Sequence, residues 1–334
     1  MAQDGRDGTE IAIAEADGDH PGGRDPMPRT DRPEPSASSS SSPVLSPSPA
    51  SSSSASIDPL DIFDTSLAAI FSVPPISFST YSPSSLHTYV PPSSAAPPLS
   101  APIELRLAEP PANLTSLQAN YLWLAGVYLA DLLSLGEIGI GVGSRVAELG
   151  AGAGLPGVVA ARRGAEVVSS DWGDPAILST LLDNFERNVS TSTPTRTYAV
   201  VGHQWGTDPS PLLQALCTHP PQTRFDHLLL ADTIWITEAH SALLDSVVAL
   251  LRPGGVAHIA AGYHTGRGPV ERFVSAARAR GARVGSMREV QWKLGGGWEE
   301  YSGTHSGEGE ERGVVVYFTL QTDTKDLGDE FTIR

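Results

Sequence analysis

The residues with the clearest chemical potential lie in and just after the run from 146 to 159, which reads VAELGAGAGLPGVV. An apolar segment ends there in a glycine-rich turn and passes directly into a second segment with Pro156 near its start, and Asp171 closes the next apolar run. In a strand–turn–helix–strand unit, this layout brings backbone N–H groups up to a ligand and places a carboxylate within reach of a ribose. Glycine is required because a Cβ would block both the tight turn and the close approach of the backbone. The pattern predicts a site for a nucleoside-containing cofactor.

Two interpretations of the glycine turn share this chemistry. Residues 152–157 match the G-x-G-x-x-G pattern of dinucleotide-binding proteins, with Asp171 at the expected distance. One register earlier, Glu148 opens an E-x-G-x-G-x-G pattern that resembles motif I of the S-adenosylmethionine-dependent methyltransferases, in which an acidic residue ends the first strand. In both interpretations Asp171 binds the ribose hydroxyls, so the turn alone does not distinguish a dinucleotide from S-adenosylmethionine.

Alternating apolar segments surround the turn and must position it. The strands that we predict are 145–149, 166–170, 197–201, 227–231, 256–262, 283–291 and 313–320, and the helices are 155–163, 175–188, 211–216, 238–251 and 269–280. Alternation of this kind forms a mostly parallel sheet with helices on both faces. The last two strands are joined by a polar, Gly-rich stretch, which favours an antiparallel pair at the sheet edge. The expected fold class is therefore α/β, with a mostly parallel seven-stranded sheet and an antiparallel edge strand.

The residues before the sheet divide into segments of different character. We predict that 1–56 is a disordered tail, acidic and then Ser/Pro-rich, and that 57–113 is a partly ordered arm with a short helix near 60–71 and a strand at 103–107. Residues 114–322 form the main domain, which opens with an amphipathic helix at 114–135, and 323–334 form a C-terminal tail.

Composition excludes several classes of protein. The formal net charge of −16 over 334 residues argues against a nucleic-acid-binding face, which is basic. The single cysteine, Cys217, excludes an intramolecular disulfide and a cysteine-built zinc site, and we expect no metal. The N-terminus is acidic where a signal peptide is basic, and the chain has no apolar run of about 18 residues. These features predict a cytoplasmic protein that binds no membrane, and we also expect a monomer.

Further motifs favour the methyltransferase interpretation. The runs that carry it are YLW at 121–123, ELGAG at 148–152, DWGDP at 171–175, QWG at 204–206, FDHLLLAD at 225–232, ADTIW at 231–235, LLRPGG at 250–255 and GYH at 262–264. With the antiparallel final pair, they resemble the seven-strand class I methyltransferases, which have a Rossmann-like fold. Within this class the chain is most similar to the lysine methyltransferase-like family, in its fungal branch named for nicotinamide N-methyltransferase.

The resemblance implies the cofactor S-adenosylmethionine and a set of site residues. By matching position, the cofactor-binding residues are Trp123, Glu148, Gly150, Ala151, Gly152, Asp171, Trp205 and Ala231. Asp232 is the candidate for orienting the incoming amine, and Trp235 and Tyr263 for shaping its channel. The family commonly has Tyr or Phe where Trp235 stands, which leaves the identity of the substrate open. His203 and His264 are isolated in the sequence, and this favours hydrogen-bonded or surface roles over catalysis.

The function that the resemblance implies is N-methylation of a lysine or N-terminal amine of a protein, for which a translation factor is a candidate substrate. A small amine of the nicotinamide type is the alternative acceptor. Two more distant alternatives are an NAD(P)-dependent oxidoreductase and a non-catalytic module that only binds the cofactor.

Overall fold

The computed structural model describes residues 77–80, 82, 85–109, 111–189, 197–215, 223–293, 296–303 and 310–322. The predictions for the tail at 1–56, for the helix near 60–71, for Cys217 and for the tail after 322 lie outside the described residues. The domain boundaries that depend on them stay predictions.

Two small β-structures precede the main sheet along the chain. The strands are β1 (Ser77–Thr80), β2 (His87–Tyr89), β3 (Ile103–Leu105) and β4 (Tyr121–Trp123). Strand β1 pairs antiparallel with β4, and β2 pairs antiparallel with β3.

The main sheet and its helices alternate along the rest of the chain. Its strands are β5 (Arg145–Leu149), β6 (Glu166–Asp171), β7 (Tyr198–Gly202), β8 (Phe225–Ala231), β9 (Leu251–Gly262), β10 (Ala282–Val284), β11 (Arg288–Trp292), β12 (Trp298–Glu300) and β13 (Val314–Thr322). The helices are α1 (Leu124–Leu135), α2 (Leu155–Arg162), α3 (Pro175–Asn188), α4 (Ser210–Gln214), α5 (His240–Leu250) and α6 (Gly268–Ala279). Short 3₁₀ helices lie at Ala112–Leu117, Thr237–Ala239, Tyr263–Thr265 and Glu310–Gly313.

The order of the main sheet confirms the predicted fold class. Its strands run β12-β11-β13-β9-β8-β5-β6-β7, with β10 also paired to β13. The five strands from β7 to β9 are parallel, whereas β13 is antiparallel to both β9 and β11. Strand β5 is buried along its whole length, as expected for a central strand covered on both faces. The carboxyl ends of β5, β6, β7 and β8 therefore open on one edge of the sheet.

The antiparallel end of the sheet is more elaborate than the sequence predicted. The strand expected at 283–291 is divided into β10 and β11, and Gly285 between them still donates a backbone hydrogen bond to Thr319 O (2.9 Å). The following stretch, which was expected to be a plain connection, forms β12 and pairs with β11. As a result β13 lies inside the sheet, and β12 is the edge strand on that side.

The long amphipathic helix predicted at 114–135 was wrong in its first half. Gln118 has a positive φ of 52°, and residues 121–123 are extended because they pair with β1. Helix α1 begins only at Leu124, and 11 of its 12 residues are buried. The apolar residues that suggested one face of a long helix therefore belong to a strand and to a helix surrounded by protein.

Part of the predicted arm is packed into the core. Tyr89, Ile103 and Leu105 are each at most 1% exposed. The side-chain amides of Asn184 and Asn188 on α3 hydrogen-bond the backbone beside β3, where Asn184 Oδ1 accepts from Arg106 N at 2.8 Å. These contacts hold residues 103–106 against α3.

Candidate active site

A cavity of about 430 Å³ lies at the carboxyl ends of β5, β6, β7 and β8. Its volume falls in the range of roughly 300–1,000 Å³ that is usual for small-molecule sites, and its place is the usual one in open α/β sheets. The residues that line it and bear on the argument are Gln118, Trp123, Gly150, Ala151, Gly152, Asp171, Trp172, His203, Gln204, Trp205, Ala231, Asp232, Thr233, Trp235 and Glu238. Most of the sequence-predicted site residues are therefore brought together.

Two glycines of the turn after β5 have different reasons to be glycine. Gly150 has φ +65°, and a Cβ there would stand 2.8 Å from Thr233 Cγ2 and 2.9 Å from Trp205 Cζ2. Gly152 has φ +53°, and a Cβ there would meet no protein atom within 4 Å. Since Gly152 lines the cavity, its missing side chain leaves the backbone open to a ligand.

Asp171 ties the end of β6 to this turn. Its Oδ2 accepts a hydrogen bond from Gly152 N at 2.7 Å, and its Oδ1 accepts one from Trp172 N at 2.7 Å. Burial raises the pKa of the Asp171 carboxyl, and the two backbone N–H groups oppose this by stabilising the charged form. Each oxygen keeps a second lone pair, so the carboxylate can order the turn and still accept from ribose hydroxyls.

Glu148 lies beneath the turn and not on the cavity wall. It is 1% exposed, and its carboxylate accepts hydrogen bonds from Gly157 N (3.0 Å) and Ser169 Oγ (2.6 Å). A Cβ at Gly157 would overlap this carboxylate. Burial raises the pKa of Glu148 to about 7 against the lowering effect of both hydrogen bonds. The structure therefore places Glu148 as a support of the turn and not as a lining residue of the cavity.

Aromatic side chains form much of the remaining wall. Trp123, at the end of β4, donates from Nε1 to Gln118 O at 3.3 Å and lines the cavity with Trp205 and Trp235. Trp172 also lines it and is 38% exposed. Trp172 stands in a motif used for the resemblance but was not predicted as a site residue, and its position next to Asp171 was the available signal.

The predicted acceptor side of the site is only partly assembled as expected. Asp232 and Trp235 line the cavity, but Tyr263 does not. The Tyr263 hydroxyl donates to Glu289 Oε1 at 2.8 Å, and Arg267 lies over its ring at 4.4 Å. Its neighbour His264, for which a hydrogen-bonded role was expected, contacts Asp232 instead, with Nε2 3.1 Å from Oδ1.

The charges of the cavity wall have one sign. Its charged residues are Asp171, Asp232 and Glu238, and among the described lining residues no Lys or Arg occurs. Glu238 was missed by sequence reasoning, since no motif marks it. Within the same described stretches, no three His, Cys, Asp or Glu side chains group as a metal site, and no helix is long and apolar enough to cross a membrane. The arrangement is suited to a ligand or substrate with positive charge.

Comparison with known proteins shows a family and several proteins to which the chain is similar. A family model described as lysine methyltransferase matches residues 103–279. The protein N-terminal and lysine N-methyltransferase efm7 of Schizosaccharomyces pombe is 38% identical over 133 residues, which are 39% of this chain and 50% of that protein. The Cryptococcus neoformans protein of the same name is 33% identical over 180 residues, or 53% of this chain and 55% of its own length.

A third relative is covered over more of its length. The Eremothecium gossypii protein of the same name is 31% identical over 208 residues, which are 60% of this chain and 76% of that protein. The chain thus spans about half the length of the first two relatives and about three quarters of the third.

Proposed function

Because the chain belongs to the lysine methyltransferase family, we propose that it transfers a methyl group from S-adenosylmethionine to an amine of a protein, either a lysine side chain or the N-terminus. The matching relatives are named for protein N-terminal and lysine methylation, which supports a protein acceptor over a small amine of the nicotinamide type. Membership of this family also argues against an NAD(P)-dependent oxidoreductase, although both interpretations of the glycine turn began from the same letters.

The residues of the cavity fit the cofactor. The open backbone at Gly152 allows close approach, and the Asp171 carboxylate has lone pairs left for ribose hydroxyls. Trp205 and Trp123 offer flat apolar faces, which suit an adenine ring and a sulfonium. When bound, the cofactor supplies a methyl carbon on a sulfonium, from which the lone pair of an amine displaces a neutral thioether.

The observation that carries the proposal is the acidic and aromatic character of the wall beyond the glycine turn. Asp232 lines the cavity with one carboxylate oxygen that hydrogen-bonds no described residue. This oxygen can bind an ammonium and orient the amine that remains after its proton is released to water. Trp235 and Trp172, which also line the cavity, give its wall apolar surface, and burial against such surface lowers the pKa of an amine. Catalysis then depends on positioning and desolvation and needs no dedicated base.

A peptide panel tests this function. The purified chain is incubated with methyl-labelled S-adenosylmethionine and three matched peptides: one with a free N-terminus and a lysine, one acetylated at the N-terminus, and one with the lysine replaced by norleucine. Nicotinamide is the fourth acceptor, and fragmentation mass spectrometry locates the label. We expect label on a peptide amine in the wild type and a large loss in Asp232→Asn. Label on nicotinamide alone would establish the small-amine alternative.

Labelling of a cell extract then identifies the natural acceptor, for which a translation factor remains our candidate. Tight binding of S-adenosylhomocysteine in calorimetry without transfer to any acceptor would mean a non-catalytic binding module. We also propose that the chain works as a cytoplasmic monomer, which light scattering and localisation of a tagged chain test directly.

A further inference from the structure

We propose that His264 is a positioning residue that aims the Asp232 carboxylate at the methyl acceptor and at the same time supports the Trp123 wall of the cavity. The proposal rests on the proposed function, because it assigns a role within the acceptor side of the same site. His264 does not line the cavity itself.

One buried ring contacts both sides of the site. The His264 side chain is 8% exposed and that of Asp232 is 4% exposed, and Nε2 lies 3.1 Å from Oδ1. The same imidazole stacks on Trp123, with ring centroids 4.7 Å apart and an interplanar angle of 21°. Trp123 is a cavity wall and Asp232 is the acceptor carboxylate, so movement of this ring would disturb both.

The backbone around the contact is specialised to hold it. Asp232 has φ +54°, a left-handed conformation that costs a non-glycine residue free energy and is kept where surrounding contacts enforce it. Asp232 N donates to Ala260 O at 2.8 Å, and Gly262 N donates to Asp232 Oδ1 at 3.2 Å. A Cβ at Gly262 would lie 2.9 Å from His264 Cδ2, so glycine makes room for the ring.

These contacts act on one oxygen of the carboxylate. Both Gly262 N and His264 Nε2 approach Oδ1 of Asp232, and Oδ2 makes no hydrogen bond to a described residue. Fixing Oδ1 from two directions sets the plane of the carboxylate and leaves Oδ2 to bind the acceptor. A carboxylate that is oriented before the substrate arrives needs no rearrangement during methyl transfer.

Two substitutions separate the contact of the ring with Asp232 from its contact with Trp123. His264→Phe keeps a ring against Trp123 but removes the hydrogen bond to Asp232. His264→Gln keeps an amide N–H with about the reach of Nε2 but removes the ring. Their readout by calorimetry is the ratio of the affinities for sinefungin and S-adenosylhomocysteine. Sinefungin carries an ammonium at the position of the transferred methyl group, on a carbon that replaces the sulfur, whereas S-adenosylhomocysteine has a neutral thioether.

We expect the wild type to bind sinefungin more tightly than S-adenosylhomocysteine. In His264→Phe this affinity ratio should fall roughly tenfold, because a charge-assisted contact to the ammonium is weakened. His264→Gln should keep the preference to within about threefold while its affinity for S-adenosylhomocysteine falls. In the peptide assay, His264→Phe should lower kcat with little change in the KM for the cofactor. An unchanged sinefungin preference in His264→Phe would overturn the proposal.

His258→Phe is the matched control. His258 is also buried, bonds through its ring nitrogens to Tyr317 and His227, and stacks on Tyr317 at an interplanar angle of 11°, but it does not line the cavity. Its sinefungin preference should equal that of the wild type; an equal loss in His258→Phe would show general loosening and refute a specific role for His264.

Two outcomes keep the inference separate from the proposed function. If the wild type binds both ligands but methylates no amine, the proposed function fails. The ratio of the two affinities still tests whether His264 positions Asp232. If His264→Phe does not fold, the pair His264→Asn and His264→Gln decides, because the shorter amide does not reach Oδ1. Equal ratios in that pair would contradict the proposal.

Discussion

Gly152→Ala tests most directly whether the turn after β5 holds the cofactor. At φ +53°, alanine costs roughly 1–2 kcal/mol in the folded state. The lower entropy of the unfolded alanine chain offsets roughly 0.4–1 kcal/mol of this. The new methyl meets no protein atom within 4 Å, so no packing penalty is added. The expected loss of unfolding free energy is therefore at most about 1.5 kcal/mol.

The same methyl projects into the cavity, where it takes the space of a close backbone–ligand approach. We expect the affinity for S-adenosylhomocysteine to fall by at least roughly tenfold, or about 1.4 kcal/mol. Titration calorimetry measures this affinity, and urea unfolding measures the stability of the same sample.

Gly154→Ala is the matched comparison for this experiment. Gly154 also has a positive φ (+74°), but a Cβ there would overlap Leu181 Cδ1 and stand 3.2 Å from Phe185 Cε2. Overpacking of this kind adds roughly 1–3 kcal/mol of destabilisation, while the cavity itself is untouched. Affinity within about threefold of the wild type in a folded Gly152→Ala protein would refute the placement of the ligand against this turn.

Three further predictions concern Glu148, Asp171 and the N-terminal segment. Glu148→Gln should flatten the pH dependence of the unfolding free energy. Because the folded-state pKa of Glu148, about 7, exceeds its ordinary value of 4.5, the wild type should lose about 3 kcal/mol of stability relative to the variant as pH rises from 4.5 to 7. Urea unfolding with the same pH dependence in both proteins would contradict this. Asp171→Ala should weaken S-adenosylhomocysteine by about 1–3 kcal/mol in calorimetry, since the ribose and Gly152 N lose the same acceptor, and a loss of only a few tenths would place the carboxylate elsewhere. Removal of residues 1–56 should leave peptide methylation intact, and collapse of the rate would assign that segment a part in the reaction.

The sequence was most informative where spacing along the chain and position in space coincide. The alternating segments predicted the parallel sheet, and a turn that directly follows β5 lies at the carboxyl end of that strand. The positions of Gly150, Gly152 and Asp171 follow from this unit, because the connection between two adjacent parallel strands is almost always right-handed and brings the ends of both strands to the same edge of the sheet. The structure brings these three residues together around one cavity.

The sequence was weaker where two distant segments meet. Residues 121–123 carry the apolar spacing of a helix but are extended, because pairing with β1 supplies hydrogen bonds that the local sequence does not reveal. Glu238 reaches the cavity from the 3₁₀ turn before α5, and nothing in its neighbours marks it. Trp172 was within a recognised motif, yet its exposure at the cavity was visible only in three dimensions.

The sequence by itself determined the class of the fold and a site for a nucleoside-containing cofactor, because a glycine turn between buried strands is a local arrangement with local causes. Only the tertiary structure decided which polar groups face the cavity. Glu148 lies next to the last residue of β5 and Asp171 ends β6, but the first carboxylate lies beneath the turn and the second on the cavity wall. Tyr263 and His264 are adjacent, but the first turns toward Glu289 and the second toward Asp232. The direction of these side chains depends on the helices and strands that pack against them. The local sequence does not show which helix or strand lies on each side of the residue.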